Sequence, residues 1–330
     1  MKTIDVHNHF YPMTYLRDLY RNPGVARLDG DPDGPGDVKL HYEGDYNVLV
    51  CGHRRLASRL ADMDAAGVDV HVLTLTTPGV HVEAPQRELG LARMVNDDFA
   101  AIVREHAGRF QAFAALPLGQ PGAAAAREFE RACTELGLAG GLVFSNVNGV
   151  YPDDERFWDL YERADALRKP IFIHPTTPAH PQAFLDYRMV AVAGFLFDTT
   201  LAIGRIAFSG LLERFPNLTF ILAHLGATAP YIAERMDRAF AVYPECRERI
   251  STPPSELIKS HCYLDSVNFD PDALRLGLAF AGPRRVMLGS DYPHQVGDMP
   301  RAVRAIKEHV ADETVRAAVL GGNAGALLRL

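Results

Sequence analysis

Two histidines spaced one apart close the first apolar run of the chain, Ile4-Asp5-Val6-His7-Asn8-His9-Phe10. In an extended strand side chains alternate faces, so His7 and His9 project together and Asn8 turns away. Two imidazoles aimed at one point can share a metal ion, and neutral imidazole suits zinc and its neighbours. A histidine pair alone is as well explained by packing, so the reading depends on further ligands at matching places. They are present. His174 ends the run beginning at Pro170, His224 ends the run beginning at Leu218, and Asp291 ends the run beginning at Val286. His7, His9, His174 and Asp291 form a nitrogen and oxygen set for one divalent ion, zinc first, with manganese or iron as alternatives. His224 is a further ligand or a base beside the ion. A single histidine at a strand end can simply bond to a loop, but recurrence at several strand ends together with an aspartate favours a metal centre. The other histidines read as packing or surface residues, with His180 and His294 held open because they follow the ligand candidates closely.

For these residues to meet, the chain must bring strand ends together. Apolar runs read as strands at 3–7, 68–75, 110–116, 142–144, 170–174, 218–224, 262–267 and 286–291. Between them lie segments of helical periodicity, among them 88–106, 121–136, 155–168, 194–214, 229–242 and 272–280, with further helices at 299–309, 312–319 and 323–328. Continuous apolar strands are buried on both faces, as in a parallel sheet. Eight β-α repeats over this length predict an α/β fold, a (β/α)8 TIM barrel with an inserted loop or small subdomain after the first strand. The insertion covers 10–52. Its middle, Asn22 to Asp37, is dense in Gly, Pro and Asp and reads as loop, with a small hairpin expected over 41–50. A connection this long inside one domain reads as an active-site lid. The whole of 1–330 is expected to be a single domain.

Composition narrows the function. The 330 residues carry a formal net charge of -7, which gives no footprint for nucleic acid. The four cysteines are scattered with no Cys-x-x-Cys pair, no secretory signal is visible and the apolar runs read as too short to span a membrane. A reducing cytoplasm is the expected compartment. No glycine-rich phosphate loop follows any strand.

His7-Asn8-His9, Ile173-His174-Pro175, Arg214-Phe215-Pro216-Asn217-Leu218 running on to Ala223-His224-Leu225-Gly226, and Gly289-Ser290-Asp291-Tyr292-Pro293 together resemble the amidohydrolase superfamily. Within it they resemble the branch of 2-amino-3-carboxymuconate-6-semialdehyde decarboxylase and related metal-dependent aromatic-acid decarboxylases. The resemblance implies that His7, His9, His174 and Asp291 bind the metal and that His224 is the catalytic histidine. It implies that Arg235 reaches a neighbouring subunit's substrate, hence a homodimer, and that Arg54 or Arg55 stands for a second substrate-binding arginine. Two-metal barrels of this kind often carry a modified lysine after the fourth strand. Phe144-Ser145-Asn146 stands here, so one ion is expected. The sequence also departs from the pattern. Leu225 follows His224 where glycine is common, and Val190-Ala191-Val192 and His294 stand where the muconate enzyme has aromatics, so the pocket should differ.

The chemistry expected is non-oxidative decarboxylation of a small carboxylate. An ion clamps the substrate, arginine recognises the carboxylate, and His224 or Asp291 moves the proton. His294 is a candidate substrate contact. The same ion and histidine could instead activate water, which makes a hydrolase or hydratase acting on a lactone, ester or amide the alternative. A non-enzymatic metal-binding scaffold is the third reading.

Overall fold

The computed structural model describes residues 2–120 and 122–330, so Pro121, at the start of the helix expected over 121–136, lies outside the described residues. Among the described residues there are ten strands: β1 Ile4–His9, β2 Arg27–Asp29, β3 Val38–Tyr42, β4 Asp45–Leu49, β5 Val70–Thr74, β6 Phe110–Ala114, β7 Gly140–Phe144, β8 Ile171–His174, β9 Phe220–Leu222 and β10 Cys262–Leu264. Seven of them form one parallel sheet in the order β1-β5-β6-β7-β8-β9-β10, each joined to the next by helical segments. β1, β5, β7, β8 and β9 are buried at every position, which is why they read as unbroken apolar runs. Phe113 of β6 and Phe172 of β8 stack at 5.7 Å in this core.

The eighth expected strand is not regular. Val286 and Tyr292 make isolated bridges to Leu264 and Asn8, and the residues between them form no ladder. The segment nevertheless bonds to both edges of the sheet. The Met287 amide donates to Leu264 of β10, and the Val6 and His9 amides of β1 donate to Leu288 and Tyr292. Asp291 takes a left-handed conformation at φ 59, which a straight strand does not allow. Gly289 sits where a Cβ would lie 2.9 Å from His7 Cβ and 3.0 Å from Asp265 Cβ. Only glycine lets those two side chains approach across it.

The excursion after β1 has more structure than its composition suggests. Met13–Arg21 is a helix, and β2, β3 and β4 form a separate antiparallel sheet. The expected hairpin is β3–β4, turning through Glu43 and Gly44, with Gly44 at φ +83 in the left-handed region that favours glycine. The turn-rich stretch is held from below by Arg54, which is buried and donates to the carbonyls of Pro32 (2.6 Å), Gly34 (3.2 Å) and Gly36.

The helical run 186–208 is long and apolar enough to cross a membrane by length and composition, contrary to the expectation from its apolar runs. Its Asp198, however, is buried and accepts from Ser145 Oγ at 2.5 Å, Asn146 Nδ2 at 2.8 Å and Tyr151 OH at 2.9 Å. Those bonds seat the run against the loop that follows β7.

One buried cation braces the C-terminal end of β1. The Arg59 guanidinium donates to Gly52 O at 3.1 Å, to Asn8 Oδ1 at 2.7 Å and to His9 O, and meets His71 Nδ1 at 2.9 Å. It also lies 4.8 Å from the Tyr292 ring centre. Removing it would strand several buried acceptors, so Arg59→Ala is expected to lose about 3 kcal/mol or more of stability in urea unfolding. An unchanged midpoint would show that these acceptors find water instead.

Candidate active site

The side chains predicted to bind a metal do meet. One ligand atom each from His7, His9, His174 and Asp291 lies within 4.8 Å of the others, and all four residues are buried. β1 has a register shift against β5 between Asp5 and Asn8. Such a bulge re-aims side chains at a strand end. The His7 and His9 rings stand 5.0 Å apart, edge to face, and the His174 ring is 5.2 Å from His7 and 4.7 Å from His9. Asn8 turns away as alternation predicts, its amide donating to Asp5 O and Val72 O.

The far nitrogens fix how each imidazole presents itself. His174 Nδ1 faces Pro175 O at 2.7 Å, and a carbonyl can only accept, so Nδ1 carries the hydrogen. His9 Nδ1 is 2.8 Å from Thr74 Oγ1, whose own hydrogen goes to Asn8 O at 2.8 Å, so His9 Nδ1 donates as well. His7 Nδ1 bonds to the carboxylate of Asp265. Three Nε2 lone pairs therefore point inward, and Nε2 of His7 and of His174 have no hydrogen-bond partner. His9 Nε2 lies 2.9 Å and His7 Nε2 3.4 Å from Asp291 Oδ1. Acceptors this close and this deeply buried repel one another unless a cation stands between them. The donor set and its orientation fit a divalent metal ion.

Electrostatics agree with this geometry. Burial opposes charge on His7, but Asp265 and Asp291 on either side outweigh it and push its pKa up to about 10, so an ion bound there would take the place of the Nε2 proton and free that lone pair. The same negative field is available to a metal ion. Burial, with neighbouring histidines, holds His9 and His174 well below the ordinary histidine value, so both stay neutral. Burial would raise Asp291, yet the imidazoles of His224, His7 and His9 around its carboxylate hold it well below the usual carboxylate range. Asp265 is lowered in the same way: burial acts against it, and His7 prevails.

His224 follows β9 at φ 55, with Leu225 at φ 56, both left-handed. Non-glycine residues hold such conformations at some cost, and they cluster at functional sites. The His224 Nε2 lies 3.9 Å from Asp291 Oδ2, and its ring centre is 5.0 Å from that of His7. Its Nδ1 has no hydrogen-bond partner among the described residues. His224, His174, Asp291 and His294 line one cavity, walled on its apolar side by Val48, Ala191, Val192, Phe195 and Val296. The His294 ring lies 4.6 Å from that of His9, tilted by 39°, and its Nδ1 is 3.2 Å from His53 Nε2.

The predicted arginines lie elsewhere. Arg54 and Arg55 do not line the cavity. Both are taken up by carbonyls of the 32–36 loop, Arg55 reaching Asp33 O at 2.8 Å, so they hold the insertion rather than face a substrate. Arg235 is exposed on the helix Ala229–Val242, away from this chain's cavity.

Sequence reasoning left Asp265 and Asp5 without roles. Asp265 accepts from the Leu225 and Val267 amides at 3.1 and 3.0 Å and anchors His7. Asp5 accepts from Ser290 Oγ at 2.5 Å and the His7 amide at 3.0 Å, tying the Asp291 segment to β1. Burial pushes the Asp5 pKa up to about 7. A carboxylate at the end of the 262–267 strand was the available signal for Asp265.

A protein with this parallel sheet and this histidine–aspartate centre is an amidohydrolase: the chain belongs to that family, whose sequence profile matches residues 4–330. Among relatives, it is 31% identical over 332 residues to 2-amino-3-carboxymuconate-6-semialdehyde decarboxylase of Dictyostelium discoideum, covering 97% of this chain and 90% of that protein. The 5-carboxyvanillate decarboxylase of Sphingomonas paucimobilis superposes with a TM-score of 0.87 at 28% identity, covering 100% of this chain and 99% of that one. A dihydroxybenzoic acid decarboxylase from Polaromonas, solved with manganese and the inhibitor 2-nitroresorcinol, gives a TM-score of 0.81 at 27% identity, covering 100% of this chain and 97% of that one.

Replacing Asp265 by Asn would remove the charge that orients His7 while keeping its shape. Metal affinity, measured by chelator competition, is expected to fall roughly 10–100-fold. Wild-type affinity in that variant would remove the anchoring role.

Proposed function

We propose that this chain is a metal-dependent, non-oxidative decarboxylase of a small aromatic or muconate-type carboxylic acid. The observation that carries this reading is the convergence of three inward Nε2 lone pairs and Asp291 beneath a cavity into which His224 also faces. The names of the relatives support the reaction class. His7, His9, His174 and Asp291 would hold the ion, which would supply Lewis-acid stabilisation to an anionic substrate. Zinc is the ion proposed, on the strength of three imidazole nitrogens, with manganese, as in the Polaromonas enzyme, as the alternative.

The residues of the chain then divide the work. The apolar wall formed by Val48, Val192 and Phe195 receives a flat ring. His224 protonates the ring carbon that bears the carboxylate, with Asp291 the alternative carrier. The carbon–carbon bond breaks, its electron pair returns to the ring and carbon dioxide leaves. His294 contacts the substrate from the cavity wall.

The architecture proposed is a single domain with an eightfold barrel closed by the 286–292 segment, and the 10–52 excursion as a subdomain over the site. A homodimer is proposed through the face that carries Arg235. One turn before Arg235 stands Tyr231, 81% exposed, and the adjoining helix Phe195–Phe208 exposes Phe197 and Leu201 one turn apart. Apolar side chains left open in this way mark an interface, and Arg235 would reach across it. A cytoplasmic site of action fits the free cysteines.

The test pairs metal analysis with a panel of hydroxylated benzoates and lactones. Carbon dioxide release from an aryl acid supports the proposal, and ring opening of lactones alone would replace it with hydrolysis. His224→Ala is expected to keep its metal and lose turnover by about 100-fold or more. Normal turnover in that variant would remove His224 from the proton transfer.

A further inference from the structure

The cavity holds one cationic side chain among the described residues that line it, and it is none of the arginines predicted from sequence. It is Arg188. The backbone delivers it by an uncommon route. Tyr187 and Arg188 are consecutive non-glycine residues in the left-handed region, at φ 55 and φ 59. The turn they make leaves Tyr187 91% exposed while Arg188 reaches the cavity wall. Such a conformation costs free energy at each residue and persists where the surroundings or the function require it.

The guanidinium is positioned but not saturated. Arg188 Nη1 meets one oxygen of Asp45 at 2.9 Å, and Nη2 makes a long contact of 3.4 Å to Tyr46 O. Its carbon lies 4.5 Å from the Tyr46 ring centre, within cation–π range. A carboxylate held through both oxygens would occupy a whole edge of the fork. Asp45 takes only one such contact, so other donors remain for a ligand. Asp45 itself is nearly buried at 8% of its side chain, whereas Arg188 is 45% exposed, so the cation is the member of the pair that a ligand can reach. The small or aliphatic walls at Ala191, Val192 and Val48 leave room for a ring between Arg188 and the histidine centre.

We propose that Arg188 is a specificity-determining residue that binds a second anionic group of the substrate, a carboxylate on the part of the molecule not held at the histidine centre. The preferred substrates are then dianionic acids rather than simple monoacids, and Asp45 acts as the internal competitor that keeps the guanidinium aligned when no ligand is present. This inference rests on the carboxylate-binding reading of the cavity given above.

The test uses binding, so it does not depend on turnover. The probes are 2-nitrophenol and 4-hydroxy-3-nitrobenzoate, in which the nitro group takes the place of the carboxylate that would leave; the second adds a carboxylate. Calorimetry on the metal-loaded wild type should show the carboxylated probe binding about tenfold more tightly or better. In Arg188→Met that advantage should vanish, with 2-nitrophenol affinity and metal content unchanged. In Asp45→Asn it should grow, because the competitor has lost its charge. An advantage that survives Arg188→Met, or none in the wild type, overturns the assignment. The two readings separate cleanly. Carbon dioxide release without probe discrimination removes Arg188 alone, whereas discrimination without release from any acid keeps Arg188 and removes the decarboxylase. If neither probe binds the loaded wild type, both fall.

Discussion

The constraint on which this structure turns is the placement of several buried acceptors face to face. Nε2 of His7, His9 and His174 and the carboxylate of Asp291 share a buried space no wider than 4.8 Å. Each lone pair there has given up hydration, and none can satisfy another. A cation relieves all of them together, and the outer nitrogens are tied so that the rings cannot turn away. Thr74, Pro175 and Asp265 each hold one imidazole by its Nδ1. The ties come from different strand ends, so the parallel sheet is what makes the centre.

Support for the centre extends one layer deeper. Asp5 links β1 to the Asp291 segment through Ser290 and reaches His71 at 3.4 Å, and Arg59 gathers His71, Asn8 and the His9 carbonyl. Charge buried without a partner is strongly unfavourable. Arg59 is tolerated because nearly every direction it faces ends in an acceptor or an aromatic face. Burial still brings its pKa down to about 10, against the opposing pull of Tyr292, Asp5 and Asp62. This arrangement couples folding of the first strand to assembly of the site. The irregular geometry at Asp291, where φ is 59, belongs to the same compromise. A regular strand would have paired more backbone but aimed the carboxylate elsewhere.

The insertion after β1 contributes to the site in a different way. Its turn-rich part is gathered by Arg54, and its hairpin brings Asp45, Tyr46, Asn47 and Val48 to the rim of the cavity. The metal centre is therefore built by the sheet, while the surface a substrate first meets is built largely by loops. Loops carry specificity on a rigid scaffold in many barrels. Here the two parts join where Arg188 contacts Asp45, between the segment after β8 and the tip of the β3–β4 hairpin.

The ligand set was legible in the sequence because a parallel sheet exposes its function at strand ends. Local alternation placed His7 and His9 together, and the apolar runs placed His174, His224 and Asp291 at matching ends. The α/β class and the hairpin near residue 44 were legible for the same reason: period and turn chemistry are local. What the sequence could not decide was which distant groups pair. Arg54 and Arg55 follow the hairpin directly and looked available for substrate, but only the folded loop shows that backbone carbonyls consume them. Asp265 and Arg188 were each visible as residues, yet their roles come from contacts spanning 258 residues in one case and the hairpin in the other. Side-chain periodicity records which face a residue takes, whereas partnership across the fold depends on where separate segments close in space, and that is settled only when the sheet curls and the loops pack.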